Sequence, residues 1–262
     1  MKIEIIKETN DYLIINKPAG LIVHGGDKIT EPTLVDWLLK KYPHLKNVGE
    51  DPARPAIVHR LDKEASGLMI IPKNNLAFEY FKDQFKKRKI KKEYQTLVFG
   101  KISKDEDVID FPIKRSSQGH KMASIPKSIK NFNDTQENTA DSNSYNNISN
   151  RSQGNVRALE SSRQAITEFE IIKRFINFTL LKIKMKTGRT HQIRVHFSAY
   201  GHPLLGDNLY GNKKTKVKNN KLNIGRIFLM ATKLSFTDLK EEKQELEIDL
   251  SSDLKEILKK IK

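Results

Sequence analysis

The chain contains no cysteine among its 262 residues. Disulfides and thiolate metal sites are therefore excluded, and a reducing compartment is permitted without being required. No apolar run approaches the roughly 18 residues needed to span a bilayer. The opening Met1-Lys2-Ile3-Glu4-Ile5-Ile6-Lys7 alternates charged and apolar residues and lacks the apolar centre of a signal peptide. A soluble, cytoplasmic protein is expected. Several catalytic signatures are missing too. There is no Gly-x4-Gly-Lys-Ser/Thr phosphate loop, and Gly25-Gly26-Asp27, which could border a cleft, is a weak substitute. There is no His-Glu-x-x-His pair; His191 and His196 are five apart and are not neighbours on a helix face. Ser66-Gly67 lacks the earlier Gly of a Gly-x-Ser-x-Gly hydrolase turn.

Positive charge is what the chain has in excess. The formal net charge is +16, with Lys and Arg spread along the whole length. A field of that sign attracts polyanions, which points to nucleic acid or an anionic membrane surface. AT-rich coding also enriches Lys, Asn and Ile, so charge alone does not decide. The length allows one large domain or two small ones, and a single domain over residues 1–262 is expected. Its charge disfavours self-association, so a monomer is expected.

Ile3 to Ile6 and Tyr12 to Ile15 read as a starting hairpin, after which Lys17-Pro18-Ala19-Gly20 turns the chain. Thr33 to Tyr42 reads as a helix capped by Thr33, with Leu34, Trp37 and Leu38 on one face. Leu45 to Arg54 is a polar connection. A second helix is predicted from Asn74, its cap, to about Arg88, with Leu76, Ala77, Tyr80, Phe81 and Phe85 at helical spacing. Lys82, Lys86 to Lys89, Lys91 and Lys92, with Arg88 among them, make its far end basic. That stretch is either a solvated face or a patch for backbone phosphates. Tyr94 to Phe99 is a strand. Residues 127–156 are rich in Asn, Ser, Asp, Thr and Gln and have few apolar residues to bury. They are read as a disordered insertion. Ile166 to Phe175 and Phe178 to Met185 should pair as a hairpin. Thr190 is read as the cap of a helix that reaches Tyr200 and is closed by Gly201. Strands at Ile227 to Phe236 and Glu245 to Ile248 and an amphipathic helix at Asp253 to Ile261 complete the chain.

The stretch that carries chemistry is His59-Arg60-Leu61-Asp62-Lys63-Glu64-Ala65-Ser66-Gly67, set between the apolar runs Ala56 to Val58 and Leu68 to Ile71. It reads as strand, loop, strand, a rigid mount for one reactive side chain. Asp62 is the candidate, and nearby cations would keep its carboxylate ionised. Taken alone, the pattern fits a surface turn with a capping Asp equally well.

His-Arg-Leu-Asp-Lys-x-x-Ser-Gly-Leu resembles the signature of the RluA-type family of pseudouridine synthases, in which the Asp is catalytic. Ala65 stands where that signature usually has Thr, a departure expected to affect a local hydrogen bond rather than the chemistry. Four further blocks resemble the family in order: Asn16 to His24, Lys92-Glu93-Tyr94-Gln95, Thr187 to His196, and Gly201 to Gly211. The resemblance spans about Lys2 to Phe236. Many relatives carry a small S4-like RNA-binding domain before the first motif. This chain resembles the minimal form, so selection of substrate is expected to rest on the catalytic domain.

The resemblance implies an α+β fold with a mixed, largely antiparallel β-sheet, flanking helices and a central basic cleft. It implies isomerisation of uridine to pseudouridine in structural RNA, either ribosomal or transfer RNA. The lead-in Arg54 to Val58 and the Lys63-Glu64 pair look more like the branch acting on large-subunit (23S) ribosomal RNA. No cofactor or metal is implied. Asp62 would be the nucleophile and Arg194 its ion-pair partner. Tyr94 would stack on the uracil and take the C5 proton, above a floor formed by Ile193. Arg60 would enter the RNA stack once the uridine flips out. His59, Arg189 and Gln192 complete the expected substrate contacts. Two other readings stand beside this one. Asp62 and Glu64 would suit a glycosidase if both faced one cleft, and an RNA-binding or ribosome-assembly factor could use the same fold without catalysis.

Overall fold

The computed structural model describes residues 3–26, 30–116, 121–125 and 162–261, so the insertion expected at 127–156 lies outside the described residues. The chain opens with β1 (Glu4–Glu8) and β2 (Tyr12–Lys17), the expected hairpin, followed by α1 (Leu34–Lys41). Thr33 caps α1: its Oγ1 accepts the Asp36 amide while Asp36 accepts the Thr33 amide, a reciprocal capping box. The stretch after α1 is less polar than its composition suggests. A 3-10 turn at Pro43–Asn47 buries Leu45, and Val48 is buried just beyond it.

Next come β3 (Ser66–Pro72), α2 (Asn75–Lys86), β4 (Lys91–Phe99), β5 (Glu106–Asp110), β6 (Ile113–Arg115) and β7 (Met122–Ser124). Asn74 caps α2 as expected. The helix ends at Lys86, two residues early, because Arg88 adopts a left-handed backbone at φ +56°. Leu76, expected on the apolar face, is 73% exposed, since the buried stripe runs through Ala77, Phe78, Phe81 and Gln84. The chain finishes with β8 (Ile166–Arg174), β9 (Phe178–Met185), α3 (Gln192–Ala199), α4 (Lys213–Lys221), β10 (Leu229–Thr237), β11 (Lys243–Glu247) and α5 (Ser252–Lys260). The lysine-rich α4 has apolar spacing too sparse to mark it as a helix in the sequence.

The main sheet runs β1-β2-β3-β10-β4-β9-β8-β5, with β11 added beside β10; β6 and β7 form a separate ribbon. Every pairing in the main sheet is antiparallel except β3 with β10. Alternation sends Leu13, Ile15, Met69 and Ile71 to the core shared with α1 and α3, and Tyr12, Ile14, Leu68 and Ile70 to the core beneath α2. Among the described residues no helix is long and apolar enough to cross a membrane.

One row of residues crosses the sheet at the end of the Asp62 loop. Register places Lys17 opposite Gly67, Gly67 opposite Ala231, Ala231 opposite Tyr94 and Tyr94 opposite Ile183. Residues more than a hundred positions apart are thereby brought side by side. Gly67 is required there. Its φ is +116°, and a Cβ would lie 2.2 Å from the Ala231 carbonyl oxygen.

Candidate active site

The lead-in Ala56 to Val58 is largely buried but is not the strand expected from its composition. Ala56 has φ +59°, and its amide donates to the Val48 carbonyl at 2.7 Å. The reason is topological: β3 already has β2 and β10 as its neighbours, which leaves no edge to pair with. The Asp62 loop is instead held from below. Lys17 is fully buried, and its Nζ donates to the carbonyls of Pro18 at 2.9 Å, Leu21 at 2.8 Å and Lys63 at 3.3 Å. The Gly20 amide donates to the same Lys63 carbonyl at 2.8 Å. Burial, aided by Arg226 and opposed by Asp62 and Glu64, brings the Lys17 ammonium down to about 7.

Arg194 rises to this loop from α3. Thr190 does not cap that helix; His191 occupies the cap position with a left-handed backbone at φ +54° and no side-chain cap bond. Gln192 orders the turn in its place. Its Oε1 accepts Thr187 Oγ1 at 2.8 Å and the Arg189 amide at 3.0 Å. Its Nε2 donates to the Ile166 carbonyl at 3.0 Å and Thr167 Oγ1 at 2.9 Å. Gln192, expected to touch substrate, therefore has both ends of its buried amide committed to the protein. The next links are equally internal. His196 Nδ1 pairs with Thr167 Oγ1 and its Nε2 with the Phe111 carbonyl, each at 2.9 Å, and burial lowers this imidazole to about 4.

Arg194 is buried and reaches Asp62 Oδ2 with Nη1 at 3.5 Å, but Asp62 is not its main partner. Asp207 grips it bidentately, Nε to Oδ2 at 2.8 Å and Nη2 to Oδ1 at 3.0 Å. Asp207 Oδ1 also accepts the amides of Leu209 and Tyr210 at 2.9 and 3.0 Å, so this buried pair has most of its polar atoms satisfied. Burial opposes the guanidinium charge, but Asp207, Asp62 and Glu64 outweigh it and raise the pKa above the ordinary value. Glu64 lies 3.4 Å from Nη1 but lines a different depression from Asp62. The two acids share an arginine rather than a cleft.

Asp62 lines a cleft of about 1230 Å³. Tyr94 and Ile193 line it as well, both buried and both part of the core that includes Leu61. Burial, and then the Asp62 charge, push the Tyr94 phenol well above its usual pKa. Arg54, Arg60, Lys86, Arg88, Lys91, Lys92, Lys184, Lys186, Arg189 and Arg194 surround the cleft, against Asp62 and Glu93 as its acids. Arg60 is exposed and donates to His24 Nε2 at 3.0 Å. Arg189 reaches the Gln164 carbonyl at 3.3 Å. His59 borders the cleft, but its Nε2 accepts the Ile70 amide at 3.0 Å and its ring lies against Phe85. That bond holds the loop on β3, while Nδ1 has no partner among the described residues. Lys92 lies over the same Phe85 ring at 5.5 Å with no acidic partner among the described residues, and burial lowers it to about 8.

The motifs of the sequence thus mark Asp62, Tyr94, Arg194, Ile193, Arg60 and Arg189 at one cleft; Gln192 and His59 line it too, Gln192 with its amide bonded within the protein and His59 with its Nε2 so bonded. The motifs give no role to Asp207, Lys17, His191 or Tyr210, although all four lie inside the quoted blocks. A second acid beside the Arg-bearing block was the available signal. Among the described residues no cluster of His, Cys, Asp and Glu is arranged to hold a metal. The arrangement provides a partly exposed carboxylate held by a buried cation, a phenol beside it, and basic walls for a polyanion.

Residues 11–199 match the family described as RNA pseudouridylate synthase. An uncharacterized RNA pseudouridine synthase of Aquifex aeolicus is 38% identical over 224 residues, which is 85% of this chain and 60% of that protein. The ribosomal large subunit pseudouridine synthase D of Buchnera aphidicola is 35% identical over 226 residues, 85% of this chain and 58% of that protein. The chain thus spans about 60% of the length of these relatives. The solved structure of human RNA pseudouridylate synthase domain containing 1 shares the fold, with TM-score 0.67 and 23% identity over 95% of this chain and 84% of that one.

Proposed function

The chain belongs to the RNA pseudouridylate synthase family, and on that premise we propose that it isomerises uridine to pseudouridine at specific positions in structural RNA. The observation that carries this reading is the Asp62 carboxylate in a basic cleft, 3.5 Å from a buried arginine that Asp207 holds in place. The reaction breaks the N1–C1′ bond of uridine, turns the base and rejoins it through C5, with a proton leaving C5 and one arriving at N1. No redox equivalent or phosphate donor enters that balance.

Asp62 is the nucleophile. Arg194 keeps it ionised and oriented, and because Asp207 fixes the guanidinium, little rearrangement is needed when substrate arrives. Tyr94 stacks on the uracil over Ile193. Burial, and then the Asp62 charge, keep its phenol protonated in the free protein. Tyr94 gives that proton to N1 of the uracil released when Asp62 attacks, and the resulting phenolate accepts the C5 proton once the base has rejoined. Flipping a uridine into the cleft costs a few kcal/mol, less in a loop or bulge. Arg60 fills the vacated stack, while Lys91, Lys92, Lys186 and Arg189 meet the phosphates. Large-subunit ribosomal RNA is the target class we favour, in line with the name of the Buchnera relative.

Mapping pseudouridine in total RNA from cells with and without the gene tests this reading. Loss of one or more sites from large-subunit ribosomal RNA is expected, with restoration by the wild-type gene but not by Asp62→Asn. Lost sites confined to transfer RNA would move the target. No lost site, or full restoration by Asp62→Asn, would leave an RNA-binding or assembly factor.

A further inference from the structure

Hydrogen-bond accounting around Tyr210 locates a proton. Tyr210 Oη accepts the Met122 amide at 2.9 Å and lies 2.9 Å from His191 Nδ1. Among the described residues it has no other hydrogen-bond partner. Its own proton therefore goes to His191 Nδ1, and the neutral imidazole carries its proton on Nε2. Burial, against the pull of Asp62, keeps that ring below its ordinary pKa and so neutral. Tyr210 is itself fixed, since the Arg194 guanidinium lies over its ring at 5.3 Å.

The Nε2 proton faces the nucleophile. His191 Nε2 is 3.9 Å from Asp62 Oδ1, while Arg194 Nη1 is 3.5 Å from Oδ2. The two donors address opposite oxygens of one carboxylate. Arg194 is held back by its bidentate grip on Asp207, whereas His191 is tethered through Nδ1 alone. The left-handed backbone of His191 fits the same picture: a non-Gly residue at φ +54° is held there against a local steric cost.

We propose that His191 is a positioning residue for Asp62, held as its Nε2–H tautomer by Tyr210 and donating to Asp62 Oδ1 once a nucleotide fills the cleft. The inference rests on the isomerase reading above. No proton changes hands: the Nε2–H bond stays intact, orients the carboxylate before attack and stabilises the charge that returns to it when the base is rejoined. The chain from Met122 through Tyr210 and His191 to Asp62 also ties the β6–β7 ribbon to the nucleophile.

Two measurements test this and separate it from the reading it rests on. Nitrogen-15 NMR of histidine-labelled protein should show the Nε2–H tautomer at His191 and its loss in Tyr210→Phe. A wild-type Nδ1–H tautomer overturns the inference whatever the protein catalyses. Single-turnover isomerisation, with total RNA from cells lacking the gene as substrate, should slow about a hundredfold in His191→Phe with RNA affinity unchanged. His191→Gln, which restores an N–H donor, should recover roughly tenfold of that loss. A Phe variant at the wild-type rate, or a rate loss matched by lost RNA affinity or folding, overturns the inference. A wild-type protein that shows the Nε2–H tautomer but isomerises no uridine overturns the functional reading, and the positioning role of His191 with it.

Discussion

One desolvated lysine holds the Asp62 loop from below and another lines its cleft, and their surroundings differ completely. Lys17, beneath the loop, has three carbonyl oxygens around Nζ and no exposure. Lys92, which lines the cleft, has the Phe85 ring and, among the described residues, no acid or carbonyl. Both are desolvated, to about 7 and about 8 respectively. The first ammonium is part of the scaffold, because it joins two carbonyls of the turn at 18–21 to one carbonyl of the Asp62 loop. The second lines the cleft with no acidic partner among the described residues, and is free to meet a phosphate under the reading proposed above. A lowered lysine pKa therefore does not reveal a role by itself; the number of hydrogen bonds already made does.

Several experiments would sharpen or break that contrast. Lys17→Met carries the largest expected effect: the Pro18 and Leu21 carbonyls lose this donor and the Lys63 carbonyl keeps only the Gly20 amide, so stability should fall by about 2 kcal/mol or more in urea unfolding. Isomerisation should fall with it, because the Asp62 loop loses its support. A Met variant of unchanged stability would remove the scaffold role. Lys92→Gln should do the reverse, leaving stability nearly untouched while RNA affinity drops about tenfold and the salt slope of binding shrinks by about 0.7 to 0.9. If Lys92→Gln unfolds the protein instead, the two lysines are alike and the contrast fails.

The pH dependence of stability gives a third discrimination. Lys17 titrates near 7 in the folded chain and near 10.5 when unfolded, so the unfolded state holds more protons between those values. Its contribution to stability is therefore full above about 10.5 and lost as pH falls through about 7. The stability difference between wild type and Lys17→Met should grow as pH rises across that window, and a flat difference would contradict the assignment. The smallest effect belongs to Phe85→Leu, which removes the ring beside Lys92. A change of about 0.5 to 1 kcal/mol in RNA affinity is expected from the lost cation–π contact, seen only when Lys92 is present.

Much of the fold was readable because local rules apply to it. Thr33 and Asn74 start their helices, as Ser/Thr/Asn capping chemistry predicts. The Ile166 and Phe178 strands alternate and pair as a hairpin. Errors appear where long-range packing overrules the local signal. Ala56 to Val58 is apolar enough for a strand but finds no free edge on β3, and Thr190 is a good cap residue displaced by the left-handed His191. The site follows the same division. Asp62, Tyr94 and Arg194 could be named from ordered motifs, whereas the grip of Asp207 on Arg194 and the capture of Gln192 by Thr167 and Thr187 could not. Those bonds depend on the distance between segments, which no spacing along the chain encodes.

The sequence by itself determined the residue types that the chemistry needs, the family they belong to and the helices and hairpins that carry them. Only the tertiary structure decided which partner each charge takes. Sheet register sets Lys17, Gly67, Ala231 and Tyr94 in one row, and the packing of α3 brings Arg194 between Asp62 and Asp207. The physical reason is that a buried charge is stabilised by whatever donor or acceptor lies within about 3 Å in space, and that distance exists only once the chain has folded.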